Sequence, residues 1–284
     1  MLFFNEEDIC LLGIFRTSSD LILNLVQGLL MKLLFLGAGS GIGTDFGNFQ
    51  SNMLLLTDSG KKLLIDCGTD IRFSLTKAGY IPRDIDAVYI SHLHADHIGG
   101  IEWFAFQRKF ASSKGSPELI IHKDLVHRLW EHSLSGGLKT LDDREAILSD
   151  YFEVHLINDE RIFNWEGVKL NLVQTIHIYS NMKLMPSYGL AIGYKGKTFF
   201  ITTDARFTPE RFEKYYRDAT LIFHDCETME TPSGVHAHFN QLDTLDPKIK
   251  AKLWLYHYND GELPDAQSHG FAGFIRCGQE FDLT

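Results

Sequence analysis

The chain has 284 residues, is 44% hydrophobic and carries a formal net charge of −10. It is long enough to bury one large core, offers no uninterrupted apolar run of ~20 residues for a membrane span, and lacks the lysine- or arginine-rich tract expected for gripping nucleic acid. Cys10, Cys67, Cys226 and Cys277 stand far apart without a C-x-x-C pair, which speaks against a disulfide framework or a structural zinc module and agrees with a cytoplasmic protein.

Residues 1–30 read as an N-terminal extension, and 31–284 as one hydrolase domain starting at Met31. The extension is apolar but interrupted by Arg16 and Asp20, and Glu6, Glu7 and Asp8 carry the wrong charge for a signal peptide. It reads as an extra helix, a dimer contact or the product of an upstream start codon, the last being favoured. Strand-like runs cover 32–37, 52–57 and 61–66, the last two joined by Asp58-Ser59-Gly60. Gly37, Gly39, Gly41 and Gly43 follow the first run. A dinucleotide-binding loop would open a helix there, but residues 44–48 read as loop, so a glycine-rich loop beside a site is expected.

A short helix near 71–78 precedes a strand over 85–91. Further helices are expected at 102–112, 123–133, 141–149, 208–217 and 246–251, with Pro209 and Pro247 near first turns. Strands are expected at 168–176, 188–194, 198–203, 219–224 and 253–257. Periodicity alone says α plus β, without an internal repeat. The apolar stretch 103–106 suits either the core or a subunit interface.

The chemistry concentrates at His92-Leu93-His94-Ala95-Asp96-His97, straight after the apolar run Ala87-Val88-Tyr89-Ile90. Extended backbone points residues i and i+2 the same way, so His92 and His94 share a direction. A turn starting at Ala95 swings Asp96 and His97 toward an adjacent centre. Imidazole and carboxylate suit zinc, manganese or iron. A two-metal site needs a bridging carboxylate and further ligands. His177, Asp204 and His257 each end an apolar, strand-like run and are the candidates.

The order His-x-His-x-Asp-His, then His, Asp and His, resembles the metallo-β-lactamase superfamily from about Met31 onward. The resemblance implies an αβ/βα sandwich of two mixed β-sheets flanked by helices. It also implies two divalent metal ions, zinc or alternatively manganese. His92, His94 and His177 would bind one, Asp96, His97 and His257 the other, and Asp204 would bridge them. A hydroxide held between the metals would be the nucleophile, because bound metal lowers the pKa of water to roughly 7. Asp204 speaks against true β-lactamases, which usually lack the bridging aspartate, whereas thioesterases and lactonases share all seven ligands.

The stretch from Leu34 to Gly41, the run Leu63-Leu64-Ile65-Asp66-Cys67-Gly68 and the segment His224-Asp225-Cys226-Glu227-Thr228 resemble ribonuclease Z-like phosphodiesterases. In that branch a histidine precedes the last ligand, and His236 stands 21 residues ahead of His257 here. Cys226 departs from the His-Glu-Ala-Thr pattern and leaves open whether Asp225 or Glu227 is the matching acid. A leaving alkoxide needs a proton, so His236 is the expected general acid, with His238 in reserve. Asp96 and His236 are the catalytic candidates. Asp66, His224, Asp225, Glu227 and His238 are the residues expected to orient ligands or meet substrate.

Asp204 follows His177 by only 27 positions, too few for the basic arm with which ribonuclease Z grips transfer RNA. The anti-Pycsar proteins of phages and their bacterial homologues resemble ribonuclease Z without that arm and hydrolyse cyclic nucleotides to nucleoside monophosphates. Residues 202–204, 222–228 and 252–258 are similar to that subgroup. The expectation is therefore a dinuclear metal phosphodiesterase acting on cyclic nucleotides, homodimeric as relatives often are. The alternatives are a ribonuclease Z-like RNA 3′-end endonuclease, a thioesterase or lactonase, and a non-catalytic metal-binding scaffold. The loop 185–188 either covers the pocket or is an ordinary connection.

Overall fold

The computed structural model describes residues 30–284 apart from Phe46 and Ser112. All but the last residue of the 1–30 extension, and with it Cys10, lies outside the described residues. Strands β1 (Lys32–Phe35), β2 (Met53–Leu56) and β3 (Lys62–Ile65) form an antiparallel meander. Helix α1 (Ile71–Lys77) crosses to β4 (Ala87–Ile90), parallel to β3. Helices α2 (Ala95–Ile98) and α3 (Ile101–Phe110) lead to β5 (Glu118–His122). Helix α4 (Lys123–Leu129), a π-turn over Trp130–Leu134 and α5 (Ser135–Leu138) precede β6 (Glu153–Ile157).

The second half begins with β7 (Ile162–Trp165) and β8 (Val168–Gln174). A small hairpin of β9 (Tyr179–Ser180) and β10 (Lys183–Leu184) follows, then β11 (Tyr188–Tyr194) and β12 (Lys197–Ile201). Lys195 and Gly196 join β11 to β12 with φ of 46° and 79°, the left-handed pair that a two-residue hairpin needs. Helix α6 (Pro209–Asp218) leads to β13 (Leu221–Asp225). Helices α7 (Phe239–Leu242) and α8 (Pro247–Lys250) lead to β14 (Leu253–Tyr256), followed by β15 (Gly273–Phe274) and β16 (Glu280–Asp282).

Two seven-stranded mixed sheets result, ordered β16-β1-β2-β3-β4-β5-β6 and β15-β14-β13-β12-β11-β8-β7. With their flanking helices they make the expected αβ/βα sandwich. Fully buried parallel strands such as β4 read as unbroken apolar runs, whereas the antiparallel β8 alternates buried and more exposed positions. The sheets meet through aromatic rings: Phe35 lies 5.4 Å from Phe223 and 5.5 Å from Tyr256 between centroids. In each sheet, parallel crossovers gather strand carboxyl ends along one edge, where α/β proteins build their sites.

One expectation needs correction. Residues 141–149 do not form a helix; a bridge from Thr140 to Glu145 and a 3-10 turn at Leu148–Asp150 replace it. The Asp150 carboxylate accepts from Ile147 N at 2.8 Å and from Arg144 Nη1 at 2.9 Å, so local side-chain bonds displace the helical ladder. The stretch 103–106 belongs to the core, with Phe104 and Ala105 buried and Trp103 and Phe106 packed against the same cluster. The short strands β5, β6 and β7 fall in stretches whose pattern does not separate strand from loop. No helix among the described residues is long and apolar enough to cross a membrane.

Candidate metal centre

β4 ends at Ile90, and the next residues stay extended, with His94 at φ −76° and ψ 155°, before α2 turns the chain. His92 and His94 therefore reach the same side, and the first turn of α2 carries Asp96 and His97 to a neighbouring point. The second sheet delivers single residues just beyond strand ends: His177 after β8, Asp204 after β12 and His257 after β14. Thr203 and His257 hold left-handed backbone at φ 51° and 63°, as does Asp66 at 62° just past β3. Such strain in non-glycine residues tends to gather at functional sites.

The donor atoms converge in two overlapping groups. His92, His94, His177 and Asp204 form one, and Asp96, His97, Asp204 and His257 the other, each with its atoms within 4.8 Å of one another. Asp204 belongs to both. A third group, Asp204, Asp225, His236 and His257, meets the same distance. In it, however, His236 Nδ1 is already taken by Asp225 Oδ2 at 2.8 Å.

Tautomers test whether cations fit. His177 Nδ1 donates to the Val235 carbonyl at 2.8 Å, so its Nε2 carries a lone pair. Ser91 Oγ donates to Asp66 Oδ2 at 2.7 Å and accepts from His92 Nδ1 at 3.0 Å, which leaves His92 Nε2 with a lone pair as well. Both lone pairs point at His94 Nδ1, 3.0 Å from His92 and 3.1 Å from His177. One proton cannot satisfy three converging nitrogens, whereas a metal ion can. In the second group, His97 Nδ1 lies 2.7 Å from Asp66 Oδ2, so its Nε2 faces Asp96 at 3.1 Å and Asp204 at 3.2 Å. His97 Nε2 and Asp204 Oδ1 are both buried without a hydrogen-bond partner. A cation between them removes that penalty.

The electrostatics agree. Burial pushes His92, His94 and His177 below the ordinary imidazole pKa, toward the neutral form that ligates metal. Burial also opposes charge on His97 and His257, but the surrounding carboxylates outweigh it and raise both well above that value. Burial disfavours the Asp204 anion, yet His257, His97 and His92 hold its pKa well below the usual carboxylate range. The second group is thus rich in negative charge, which favours positive charge there, either a proton on these histidines or a metal ion in its place.

The remaining candidates separate clearly. Asp66, fully buried, takes His97 directly and reaches His92 through Ser91. Asp225, also fully buried, holds His236 and the Ala205 N–H at 2.9 Å, and lies 3.4 Å from His257 Nδ1. Asp225, not Glu227, is therefore the acid beside His236; Glu227 accepts from Ser233 N at 2.9 Å. His224 is buried between Tyr216 OH and the Asp225 carbonyl, both at 2.7 Å, and does not join the site. His238 caps α7, accepting from Asn240 N at 3.2 Å. Burial pushes the Cys226 thiol well up, so it packs as a small apolar residue.

A cavity of about 300 Å³ opens over these atoms, lined by His94, Asp96, His177, Asp204, His236 and His257 among others. Ser40, Gly41 and Ile42 of the glycine-rich loop form part of its wall. A Cβ on Gly41 would stand 2.5 Å from Asp96 Oδ2, so only glycine leaves that carboxylate in place. A larger cleft of about 520 Å³, between α6 and α8, holds no converging histidines. Ser91, the Val235 carbonyl and Asn259 serve the site without any sequence signal beyond the adjacency of Ser91 to the histidine motif.

The chain matches the family model "Anti-Pycsar protein Apyc1" over residues 31–281. It belongs to the anti-Pycsar protein family. One relative, Anti-Pycsar protein Apyc1 of Paenibacillus harenae, is 38% identical over 232 residues, covering 81% of this chain and 90% of the relative. Another, from Bacillus phage vB_BveM-Goe7, is 33% identical over 267 residues, covering 89% and 98%. Among solved structures, the metallo-β-lactamase fold protein YhfI of Bacillus subtilis superposes with a TM-score of 0.70 at 19% identity, covering 89% of this chain and 99% of that one. Human tRNase Z, short form, gives 0.63 at 19% identity, covering 89% and 100%. Both establish the metallo-β-lactamase fold for this anti-Pycsar family member.

Proposed function

We propose that the chain hydrolyses cyclic nucleotides to nucleoside monophosphates with two divalent metal ions, zinc or manganese. His92, His94 and His177 hold one ion, Asp96, His97 and His257 the other, and Asp204 serves both. The observation that carries this reading is the pair of donor sets sharing Asp204 beneath a compact cavity, in a member of the anti-Pycsar family. When bound, the ions supply a water of lowered pKa and positive charge against the phosphate.

The chain's own residues do the rest. Asp66 and the Val235 carbonyl fix which imidazole nitrogens face the ions. His236 lines the cavity and is anchored by Asp225 through Nδ1, leaving Nε2 toward substrate. Burial works against a proton on His236, but the Asp225 charge wins and raises its pKa above the ordinary imidazole value. It is suited to donate that proton to the ribose oxygen leaving phosphorus. Between His177 and Asp204 the chain holds only the β9–β10 hairpin, β11 and β12, which leaves no arm for transfer RNA and favours a small substrate.

The test is hydrolysis of 3′,5′- and 2′,3′-cyclic nucleotides, a precursor transfer RNA and a thioester, with zinc and manganese supplied separately. Turnover of cyclic nucleotides, lost in His236→Ala and Asp204→Ala, is the expected result. Cleavage of the RNA alone, or of thioesters alone, would overturn the reading. A homodimer belongs to the same proposal; a monomer mass by light scattering at micromolar concentration would remove it.

A further inference from the structure

A second cavity, of about 140 Å³, adjoins the first at His94, His177 and Ile178, which line both. Its walls are mostly apolar: Leu93, Leu125, Ile178, Met185 and Pro186. Arg128, near the end of α4, also lines it and is the one lysine or arginine among the described residues lining either cavity. Its guanidinium makes a single hydrogen bond to a described residue, Nη1 to Met185 Sδ at 3.7 Å, and has no carboxylate partner among the described residues. The helix passes into its π-turn two residues later, a distortion often found beside functional sites.

We propose that Arg128 binds the nucleobase of the substrate and sets base preference, an inference that rests on the cyclic-nucleotide reading above. A cyclic nucleotide has a charged end and a flat end. The metals and His236 answer the phosphate in the larger cavity. The flat, mostly apolar base suits the smaller one, which adjoins it at His94, His177 and Ile178. An unpaired guanidinium among apolar walls is weakly satisfied in the free protein, so a base edge that presents acceptors gains a charge-assisted bond. The planar fork matches two in-plane acceptors, as on O6 and N7 of guanine; adenine offers N7 alone on that edge. Bases with a carbonyl on the facing edge are therefore preferred, guanine most.

The experiment measures kcat and KM of wild type, Arg128→Met and Arg128→Lys on the four 3′,5′-cyclic nucleotides. A fifth substrate is the 3′,5′-cyclic phosphate of 1-O-methylribose, which keeps ring and phosphate but lacks the base. Arg128 is partly exposed on a helix surface, and melting temperatures check that both variants fold. In Arg128→Met, KM for the guanine nucleotide is expected to rise about tenfold or more, with a smaller rise for adenine and little change in kcat. Arg128→Lys keeps the charge but not the fork and does not restore the guanine preference. Equal losses on the base-free substrate would show that Arg128 grips phosphate and would overturn the proposal, as would unchanged base preference. Wild-type silence on all cyclic nucleotides would instead sink the function itself.

Discussion

The two sheets supply the site in opposite styles. The first delivers four donors within six residues at one crossover, between β4 and α2. The second delivers His177, Asp204 and His257 from three separate strand ends, spread over 81 positions of chain. Yet each sheet backs its donors with one fully buried aspartate: Asp66 past β3 holds His97 and Ser91, and Asp225 at the end of β13 holds His236 and faces His257. A buried carboxylate that accepts several N–H and O–H groups fixes ring orientation far better than packing alone. The contiguous half depends on local chain geometry; the dispersed half depends on strand register. Substitutions can therefore weaken one half while sparing the other.

The largest effect is expected where the halves meet. Asp204→Ala removes a donor from both groups, so activity falls to background and metal content measured by plasma mass spectrometry drops for both ions. Retention of two full equivalents would show that Asp204 is not shared. Next comes His236→Ala, which lowers kcat by about 10²–10⁴-fold with metal content intact, since a proton donor and not a ligand is lost. Loss of metal in that variant would instead place His236 among the ligands, in the third donor group.

The two buried aspartates separate the halves more finely. Asp66→Asn weakens metal affinity by about 10–100-fold, read by chelator competition. Asp225→Asn has a second signature. Asp225 raises the His236 pKa, so the acid form persists to higher pH and its loss sets the alkaline limb of kcat. Removing that charge draws the alkaline limb to lower pH, which a kcat–pH profile detects; an unmoved limb would uncouple the pair.

The smallest expected effect is a control within the first sheet, away from the metals. Asp86 accepts from Lys62 N at 2.9 Å, Lys61 Nζ at 3.1 Å and Lys114 Nζ at 2.7 Å. Burial opposes its charge, but these donors lower its pKa in the folded state. Its contribution to stability is thus present above the unfolded value of ~3.9 and is lost as pH falls through the lower folded value. Asp86→Asn should cost less than ~1 kcal/mol at pH 7, because the lysines are largely solvated, and should leave kcat alone. Chemical denaturation at pH 7 and pH 3 measures the difference.

Legibility followed the same division. The motif at His92–His97 declares itself because extended backbone and one helical turn place all four side chains without help from elsewhere. His177, Asp204 and His257 are visible only as polar residues ending apolar runs, a feature common to ordinary loops, and gain meaning beside the motif. The choice between Asp225 and Glu227 could not be read at all: both follow His224 closely, and only the geometry at the end of β13, with the turn that returns His236, brings one of them within 2.8 Å. Glu227 instead pairs its backbone with Ala237 and Phe239. The expected helix over 141–149 failed for a related reason, since the Asp150 side chain competes for backbone N–H groups that composition assigns to a helical ladder.

By itself the sequence determined the class of chemistry, the order of donors and most strand positions, because these rest on residue type and on contacts a few positions apart. The tertiary structure alone decided which carboxylate backs which histidine, that His224 and His238 serve packing and capping, and that Arg128 lines the smaller cavity beside His94 and His177. Most of those outcomes depend on parallel crossovers, sheet pairing and the turns between strands, which bring Asp66 to His97, Asp225 to His236 and Arg128 to Met185 and leave no local periodicity.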